Sequence, residues 1–400
     1  MSYFCTLFDS EYLTRGLALY DSLEKRSNDD FKIYILAMDD ITEKILTYLS
    51  LKNAEIVTLS EFEDSRIEKI KRDRPHSEYC YACASFFLLY LMNEIGFAEL
   101  TYLDSDIYFF DDPQILLDEF RSSGSDVMIT EHNYSSQYDQ TVTSGRFNVQ
   151  FMTFKSTAKG KEILKWWTDR CEETTGFNIE KGICGDQKYL DDWPQRFTGV
   201  YVLKNIGGGV APWNVQQYEI SPGPMVNGVP VVFYHFHSLC LLDNGIWFAS
   251  PGYTLSQQVI KNIYKAYVSH LKRKLFMIRK SYDKNFNKGF YHKKMEDLYD
   301  YPSEMFNNKK IVIYGAGAYG IKTYACLTGL KDAQIVGWLD RDVYQLKKLG
   351  LPVTGTIQQL NELDYDFLFI AIKNKDDSIK KMILDSRVEP NKIVELKHGA

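Results

Sequence analysis

Apolar residues run through the first hundred positions in two rhythms: short blocks dense in β-branched and aromatic residues, and longer blocks where they return every three or four positions. The short blocks predict strands at 3–8, 31–38 and 55–59. The longer blocks predict helices at 11–25 (with Gly16 inside), 41–51 and 79–95. Strand and helix taking turns in this way argue for an α/β fold, a mostly parallel sheet with helices on its faces. Further on, 126–130 and 147–154 read as strands and 159–171 as a helix, while Asp112 and Pro113 read as the start of another helix. A looser stretch rich in Gly, Pro and Trp covers 182–252, and 295–308 reads as a linker. The alternation then restarts with strands at 310–314, 334–339 and 367–372.

One apolar block carries charge at its centre. Residues 100–110 read Leu-Thr-Tyr-Leu-Asp-Ser-Asp-Ile-Tyr-Phe-Phe. Taken as one buried strand, the block points positions i and i+2 the same way, so Asp104 and Asp106 present their carboxylates on one face. Burying two unpaired carboxylates is costly, and a hard divalent cation such as Mg²⁺ or Mn²⁺ is the natural partner. Two carboxylates are too few ligands. A second apolar block, 231–238, ends Tyr-His-Phe-His-Ser and by the same rule sets His235 and His237 on one face. Imidazole is a competent ligand for Mn²⁺.

Asp104-Ser105-Asp106 behind an apolar block resembles the Asp-x-Asp motif of GT-A-fold glycosyltransferases, closest to the retaining family-8 type. Further pieces in that family's order extend the resemblance over residues 3 to 250. It implies a nucleotide-diphospho-sugar transferase domain over 1–253, with Mn²⁺ or Mg²⁺ held by Asp104, Asp106 and His235. This chain departs from the family pattern after His235: Ser238 stands where a Gly is usual, and Leu241 where a phosphate-binding Lys is usual. His237 is left to serve the phosphates. The stretch 5–13 resembles the strand and loop that hold base and ribose, which assigns Thr6, Leu7, Asp9 and Tyr12, together with Ser105, to the donor. Asp9 falls just past the strand's carboxyl end, the usual ligand crevice, where a carboxylate can accept from the imide N–H of uracil. Asn148, in 145–150, is implied to bind donor hydroxyls. In Gly185-Asp186-Gln187, Asp186 is implied to hold sugar hydroxyls and Gln187 to lie near the anomeric carbon. Retention needs no protein base, since the leaving phosphate can take the acceptor's proton; inversion would make Asp186 the general base. Trp213 and Asn214, which follow Gly207-Gly208-Gly209, either line the acceptor cleft or pack as ordinary core.

Composition changes this picture little. The 400 residues suggest two or three domains, and the 45% hydrophobic and 25% charged content is ordinary for a globular protein. The seven cysteines are odd in number and scattered, as in a reducing compartment. Cys80-x-x-Cys83 has no second pair for a zinc site and reads as core thiols. Residues 1–9 lack the charged-then-apolar order of a signal segment, so the expectation is a cytoplasmic enzyme. Charge is uneven. The net is −6, yet 254–294 holds eleven Lys and Arg against Asp283. With Tyr264, Tyr267, Leu271, Leu275, Phe276 and Ile278 at helical spacing, this segment reads either as a helix lying on an anionic membrane face or as a solvated face packed on its own domain. No nucleic-acid motif accompanies it.

The C-terminal stretch 310–320 sets a strand, Gly-x-Gly-x-x-Gly (Gly315, Gly317, Gly320) and a helix in the order of a dinucleotide fingerprint, and Asp340 ends the next strand. This predicts a Rossmann-like domain over 309–400, joined through the basic segment 254–308. A nucleotide or NAD is its expected ligand, unless the glycines serve only turning and packing. A rival reading is an NAD-dependent sugar-nucleotide epimerase or dehydrogenase. Its Tyr-x-x-x-Lys pair would be Tyr344 and Lys348, which come too early in the chain, and 309–400 leaves no room for a substrate lobe. A non-catalytic sugar-nucleotide scaffold is the third reading. The favoured expectation is hexosyl transfer from a UDP-sugar to a surface polysaccharide, lipooligosaccharide or glycolipid, with possible peripheral contact at the inner membrane face.

Overall fold

A computed structural model describes residues 1–243, 245–290, 295–330, 332–348, 351–373 and 388–397; Lys293 and Lys294 of the basic stretch lie outside them. The chain forms two compact units. Unit 1 is Met1–His237 with Lys261–Gly289, and unit 2 is Ser238–Ile260 with Phe290–Ala400. These bounds differ from the segments 1–253, 254–308 and 309–400: the stretch after His237 goes with unit 2, and most of the basic stretch with unit 1.

Unit 1 is built on strands β1 (Ser2–Phe8), β2 (Phe31–Ala37), β3 (Ala54–Val57), β4 (Glu99–Leu103), β5 (Ile107–Phe109), β6 (Val127–Glu131), β7 (Phe147–Lys155) and β8 (Val200–Val202). Seven of them make one sheet in the order β8-β6-β7-β4-β1-β2-β3. Only β7 runs antiparallel to its neighbours there. β1, β4 and β6 therefore end at the same edge of the sheet.

Alternation along the strands feeds a core on each face. Cys5, Leu7, Leu100 and Tyr102 pack with Phe87, Leu91 and Trp167 on one side. Phe4, Phe8, Ile33 and Leu103 pack with Leu17, Leu117 and Phe120 on the other. Their helices are α1 (Leu13–Arg26), α2 (Asp40–Leu49), α3 (Ser65–Asp73), α4 (His76–Glu94), α5 (Gln114–Ser123) and α6 (Ala158–Glu173). Gly16 lets α1 press onto β1, since a Cβ there would stand 2.2 Å from the Phe8 ring.

The expected single strand at 100–110 is two strands. β4 stops at Leu103, Asp104 to Asp106 turn, with the Ile107 N–H donating to the Asp104 carbonyl at 3.3 Å, and β5 leaves for another sheet. There β5 pairs antiparallel with β10 (Phe233–His235), which in turn pairs with β9 (Gly208–Val210). The carboxylates thus sit at a sheet edge, where the backbone can turn, and not on the face of a continuing ladder. β10 also ends at His235, so His237 lies past the strand and the two-residue rule does not place it.

Helix α7 (Lys265–Ser281) carries most of the basic stretch and packs within unit 1 through Tyr267, Val268, Leu271 and Ile278. His270 Nε2 meets Asp21 Oδ2 at 2.8 Å, and Lys274 pairs with the same carboxylate. Lys272, Arg273, Phe276 and Lys280 stay exposed.

Unit 2 holds a four-stranded parallel sheet in the order β12-β11-β13-β14: β11 is Lys310–Tyr314, β12 Gln334–Leu339, β13 Phe367–Ile370 and β14 Ile393–Glu395. Helix α8 (Ala318–Thr328) follows β11. Gly315 has φ +99°, and a Cβ on Gly320 would lie 2.0 Å from the Gly315 carbonyl oxygen, so these two glycines let helix and turn close together. Gly317 sits just before α8, with no atom near its missing Cβ. Asp340 accepts from the backbone N–H of Ala316 at 2.7 Å and of Asp342 at 2.9 Å. Its two oxygens brace the turn.

Candidate active site

The Asp104–Asp106 turn is pinned from both sides. The Asp104 N–H donates to the Gln150 carbonyl at 3.0 Å, and the Phe236 N–H to the Asp106 carbonyl at 3.0 Å. Pairing of His235 with Ile107 across β10 and β5 then brings the imidazole to the carboxylates: His235 Nε2 lies 3.1 Å from Asp106 Oδ1. One ligand atom from each of Asp104, Asp106 and His235 falls within 4.8 Å of the others, the arrangement among the described residues that can hold a metal ion.

Charge behaves as a crowded, half-dry cluster requires. Burial pushes Asp104 up to about 6, with His235 pulling it down and Asp106 pushing it further up. Burial acts on Asp106 in the same sense, but His235, His237 and Arg15 outweigh it and hold the carboxyl down at about 2. Burial would lower His235; the two carboxylates override it and raise it. Desolvation at the cluster and the neighbouring His235 charge lower His237 to about 4, although its side chain reaches solvent.

The donor set fits a hard divalent ion. Two carboxylates and an imidazole suit Mn²⁺ or Mg²⁺, and the imidazole is already oriented. His235 Nδ1 lies 2.8 Å from Gln150 Oε1, which takes the Nδ1 proton and leaves Nε2 facing the carboxylates. Gln150 was not expected from the sequence. It lies two positions after Asn148 on β7, so the two share a face. Its amide nitrogen is buried with no hydrogen-bond partner among the described residues.

The expected donor residues gather at this edge. Thr6, Leu7 and Ser105 are buried, and the Thr6 hydroxyl has no partner among the described residues. Asp9 Oδ1 accepts from the N–H groups of Glu11 at 3.0 Å and Tyr12 at 3.2 Å, and Oδ2 meets His76 Nε2 at 3.0 Å. Tyr12 is 44% exposed overall, yet desolvation at its hydroxyl and the Asp106 charge push that group up to about 12. Asn148 bridges two partners: its amide reaches His132 Nε2 at 2.9 Å and Gln187 Oε1 at 3.2 Å. Gln187 in turn donates to the Ser144 carbonyl at 2.8 Å. Asp186 is buried, and burial together with the Asp104 charge pushes its carboxyl up to about 8. Tyr81, beside Gly185, answers to the charges of both Asp186 and Asp104.

Trp213 stands edge-on to His235 and His237, at 5.1 and 5.6 Å between ring centres. Its indole N–H and the Asn214 amide both donate to the His132 carbonyl at 2.9 Å. Both residues are buried, their polar atoms committed to the wall behind the metal ligands. His76, His132, Gln150, Tyr81 and Arg15 are what the sequence reading missed. His76 opens α4 and His132 follows β6, and neither carries a local pattern, whereas Gln150 is a polar residue inside an apolar strand and could have been found. Gly315, Gly317, Gly320 and Asp340 belong to unit 2.

The family model for nucleotide-diphospho-sugar transferases matches residues 33–197, and a model described as C2185-like, N-terminal matches 307–394. The uncharacterized protein YfnD of Bacillus subtilis (strain 168) is 30% identical over 299 residues, 72% of this chain and 94% of YfnD. YfnF of the same organism is 32% identical over 246 residues, 59% of this chain and 80% of YfnF. Among solved structures, the glycosyltransferase GlyE of Streptococcus pneumoniae TIGR4 aligns with a TM-score of 0.42 at 12% identity, covering 96% of this chain and 89% of GlyE. With a transferase domain over the sheet that carries the Asp-Asp-His cluster, this chain is a glycosyltransferase and belongs to the family of YfnD and YfnF.

Proposed function

We propose that unit 1 transfers a hexosyl group from a UDP-sugar to a surface polysaccharide, lipooligosaccharide or glycolipid, in the retaining manner of family 8. The observation that carries this reading is the meeting of Asp104, Asp106 and His235 at the sheet edge where β1 and β6 also end. A divalent ion held by these three would neutralise the departing diphosphate and orient its oxygens.

The chain's own residues do the rest. Asp9 accepts from the uracil imide, with Thr6, Leu7 and Tyr12 around base and ribose and Ser105 beside them. Asn148 and Asp186 hold donor hydroxyls, and His237 faces the phosphates. Gln187, anchored between Asn148 and Ser144, sits against the anomeric carbon. The bond from that carbon to the phosphate oxygen breaks, a bond to the acceptor oxygen forms, and the acceptor's proton leaves with the phosphate. Trp213 and Asn214 shape the acceptor side from behind. Unit 2 enters this reading as a fold, with Gly315 and Gly320 serving turn and packing.

Among the described residues no helix is long and apolar enough to cross a membrane, and peripheral attachment through α7 would suit a lipid-linked acceptor. Incubation with Mn²⁺ and a panel of nucleotide sugars, with NMR of the fresh product, tests the reading. Release of UDP and a conserved anomeric configuration are expected. No nucleoside diphosphate from any donor would refute it, and an inverted product would move Asp186 into the role of base.

A further inference from the structure

Asn148 stands where three hydrogen bonds meet, and two backbone groups decide their direction. The Gln150 N–H can only donate, and it meets Asn148 Oδ1 at 2.8 Å. The other branch of the side chain is therefore the NH₂, whose protons go to His132 Nε2 at 2.9 Å and Gln187 Oε1 at 3.2 Å. At the far end the Ser144 carbonyl can only accept. The group it meets at 2.8 Å is thus the Gln187 NH₂, which turns Oε1 towards Asn148. One arrangement satisfies both ends: His132 Nε2 is bare and accepts, and the ring proton sits on Nδ1.

The surroundings of His132 hold it in that state. The residue follows β6 and is 3% exposed. Burial, helped by the His235 charge, lowers it to about 3, so the ring is neutral. Its N–H donates to the Arg146 carbonyl at 2.9 Å, and its carbonyl accepts from Trp213 and Asn214. The ring stacks on Tyr134 with 4.6 Å between centres and stands edge-on to Trp213 at 5.2 Å. Packing alone does not call for a histidine here. The carbonyls of Arg146 and Gly145 favour a proton on the ring, yet Nδ1 is buried and makes no hydrogen bond among the described residues. Native proteins seldom keep such a group without a use, and an apolar side chain would fill the same space.

We propose that His132 is a positioning residue for transfer, aiming the Gln187 side chain through Asn148, an inference that rests on the transferase reading. Both protons of the Asn148 amide are committed, so one lone pair on Oδ1 is left for a donor hydroxyl. Gln187, held by Asn148 at one atom and Ser144 at the other, keeps one N–H and one lone pair for the sugar. Without the acceptor on His132, the Asn148 amide loses one of its three fixed points and Gln187 Oε1 loses a steady partner. Trp213 stands edge-on to both His132 and the metal-side His235, so one wall sets the sugar-side amides and the metal-side imidazole together. A displacement of about 1 Å at a reacting centre costs on the order of 100-fold in rate. A side chain that never touches substrate can therefore govern turnover.

Steady-state release of UDP from the preferred UDP-sugar with Mn²⁺ tests this. His132→Phe keeps a ring to stack on Tyr134 and removes the acceptor. Its kcat is expected to fall about 10- to 100-fold while the KM for the donor changes less than about threefold. His132→Met also lacks the acceptor and bends to fit, so the test stands if the Phe ring overfills the site. His132→Gln sets an amide oxygen near the place of Nε2 and should recover most of the loss. In a Gln187→Ala background, His132→Phe should lower kcat no further, because the group it aims is gone. Wild-type kcat in the folded Phe or Met variant would overturn the proposal, as would a loss confined to KM. Losses that multiply with Gln187→Ala would also overturn it, since they mark a structural role independent of Gln187. Wild type that releases no nucleoside diphosphate from any donor would instead overturn the transferase reading, and this inference with it.

Discussion

Replacing Gln150 by Leu separates metal binding from folding more cleanly than removal of a ligand would. Gln150 touches no metal position itself; its Oε1 takes the Nδ1 proton of His235 at 2.8 Å and so fixes which nitrogen faces the carboxylates. Outer-shell partners of this kind contribute about 10- to 100-fold to metal affinity, which is about 1.4–2.7 kcal/mol. The cost to the fold is much smaller. Leu has a similar volume, and although the buried His235 N–H loses its acceptor, which costs about 1–3 kcal/mol, this is offset because the Gln150 amide nitrogen is itself buried without a partner among the described residues. Leaving such a group unsatisfied costs about 1–3 kcal/mol, so its removal returns what the lost bond takes. Gln150→Leu should therefore melt close to wild type while Mn²⁺ affinity, read by calorimetry with UDP present, drops at least about tenfold. Wild-type Mn²⁺ affinity in a well-folded variant would refute the role given to His235. A collapse in melting temperature would show that Gln150 serves the core first.

Three further outcomes follow from the packing. Gly16→Ala gains about 1 kcal/mol of helix propensity but drives a methyl to 2.2 Å from the Phe8 ring, an overpacking that costs about 1–3 kcal/mol or more; a lower melting temperature is expected, and a higher one would contradict the α1–β1 fit. At Asp21 burial raises the carboxyl pKa, but hydrogen bonds from His270 and Lys274 outweigh it and leave it below its ordinary value. That stability is present above the unfolded aspartate pKa, near about 3.9, and is lost as pH falls through the lower folded value. Asp21→Asn should then lower the melting temperature at pH 7 and differ less and less from wild type as the pH drops towards that range; a gap that widens at low pH would contradict this. Reversing Lys272, Arg273 and Lys280 to Glu tests membrane contact, since each basic residue contributes about 1 kcal/mol near an anionic surface and Phe276, 66% exposed, lies among them. Wild type should sediment with anionic liposomes at low salt and release at high salt, and the triple variant should not bind; no sedimentation of wild type would make the stretch a packing face.

The strands and helices of the first hundred residues were legible because their apolar rhythm is long and regular. β1, β2 and α2 begin and end within two residues of the pattern. The break at Asp104 was not legible. Leu103 and Ile107 are equally apolar, and only the pairing of Ile107 with His235 reveals that the chain has changed sheets. The two-residue rule would have identified Gln150 beside Asn148, had polarity inside the 147–154 block been weighed as heavily as in 100–110. His76 and His132 reach the site only through tertiary contacts with Asp9 and Asn148. In unit 2 the glycine spacing correctly signalled a strand, a tight turn and a helix, and Asp340 holds that turn through the N–H groups of Ala316 and Asp342.

The central claim is that Asp104, Asp106 and His235 hold the ion on which transfer depends. It is tested most directly by the rate of UDP release from the preferred UDP-sugar, comparing wild type with and without excess chelator and Asp106→Ala with Mn²⁺. The account predicts that chelation stops wild type, that Mn²⁺ restores it, and that folded Asp106→Ala stays inactive at saturating Mn²⁺. Full turnover in excess chelator, or near-normal turnover by Asp106→Ala, would contradict it.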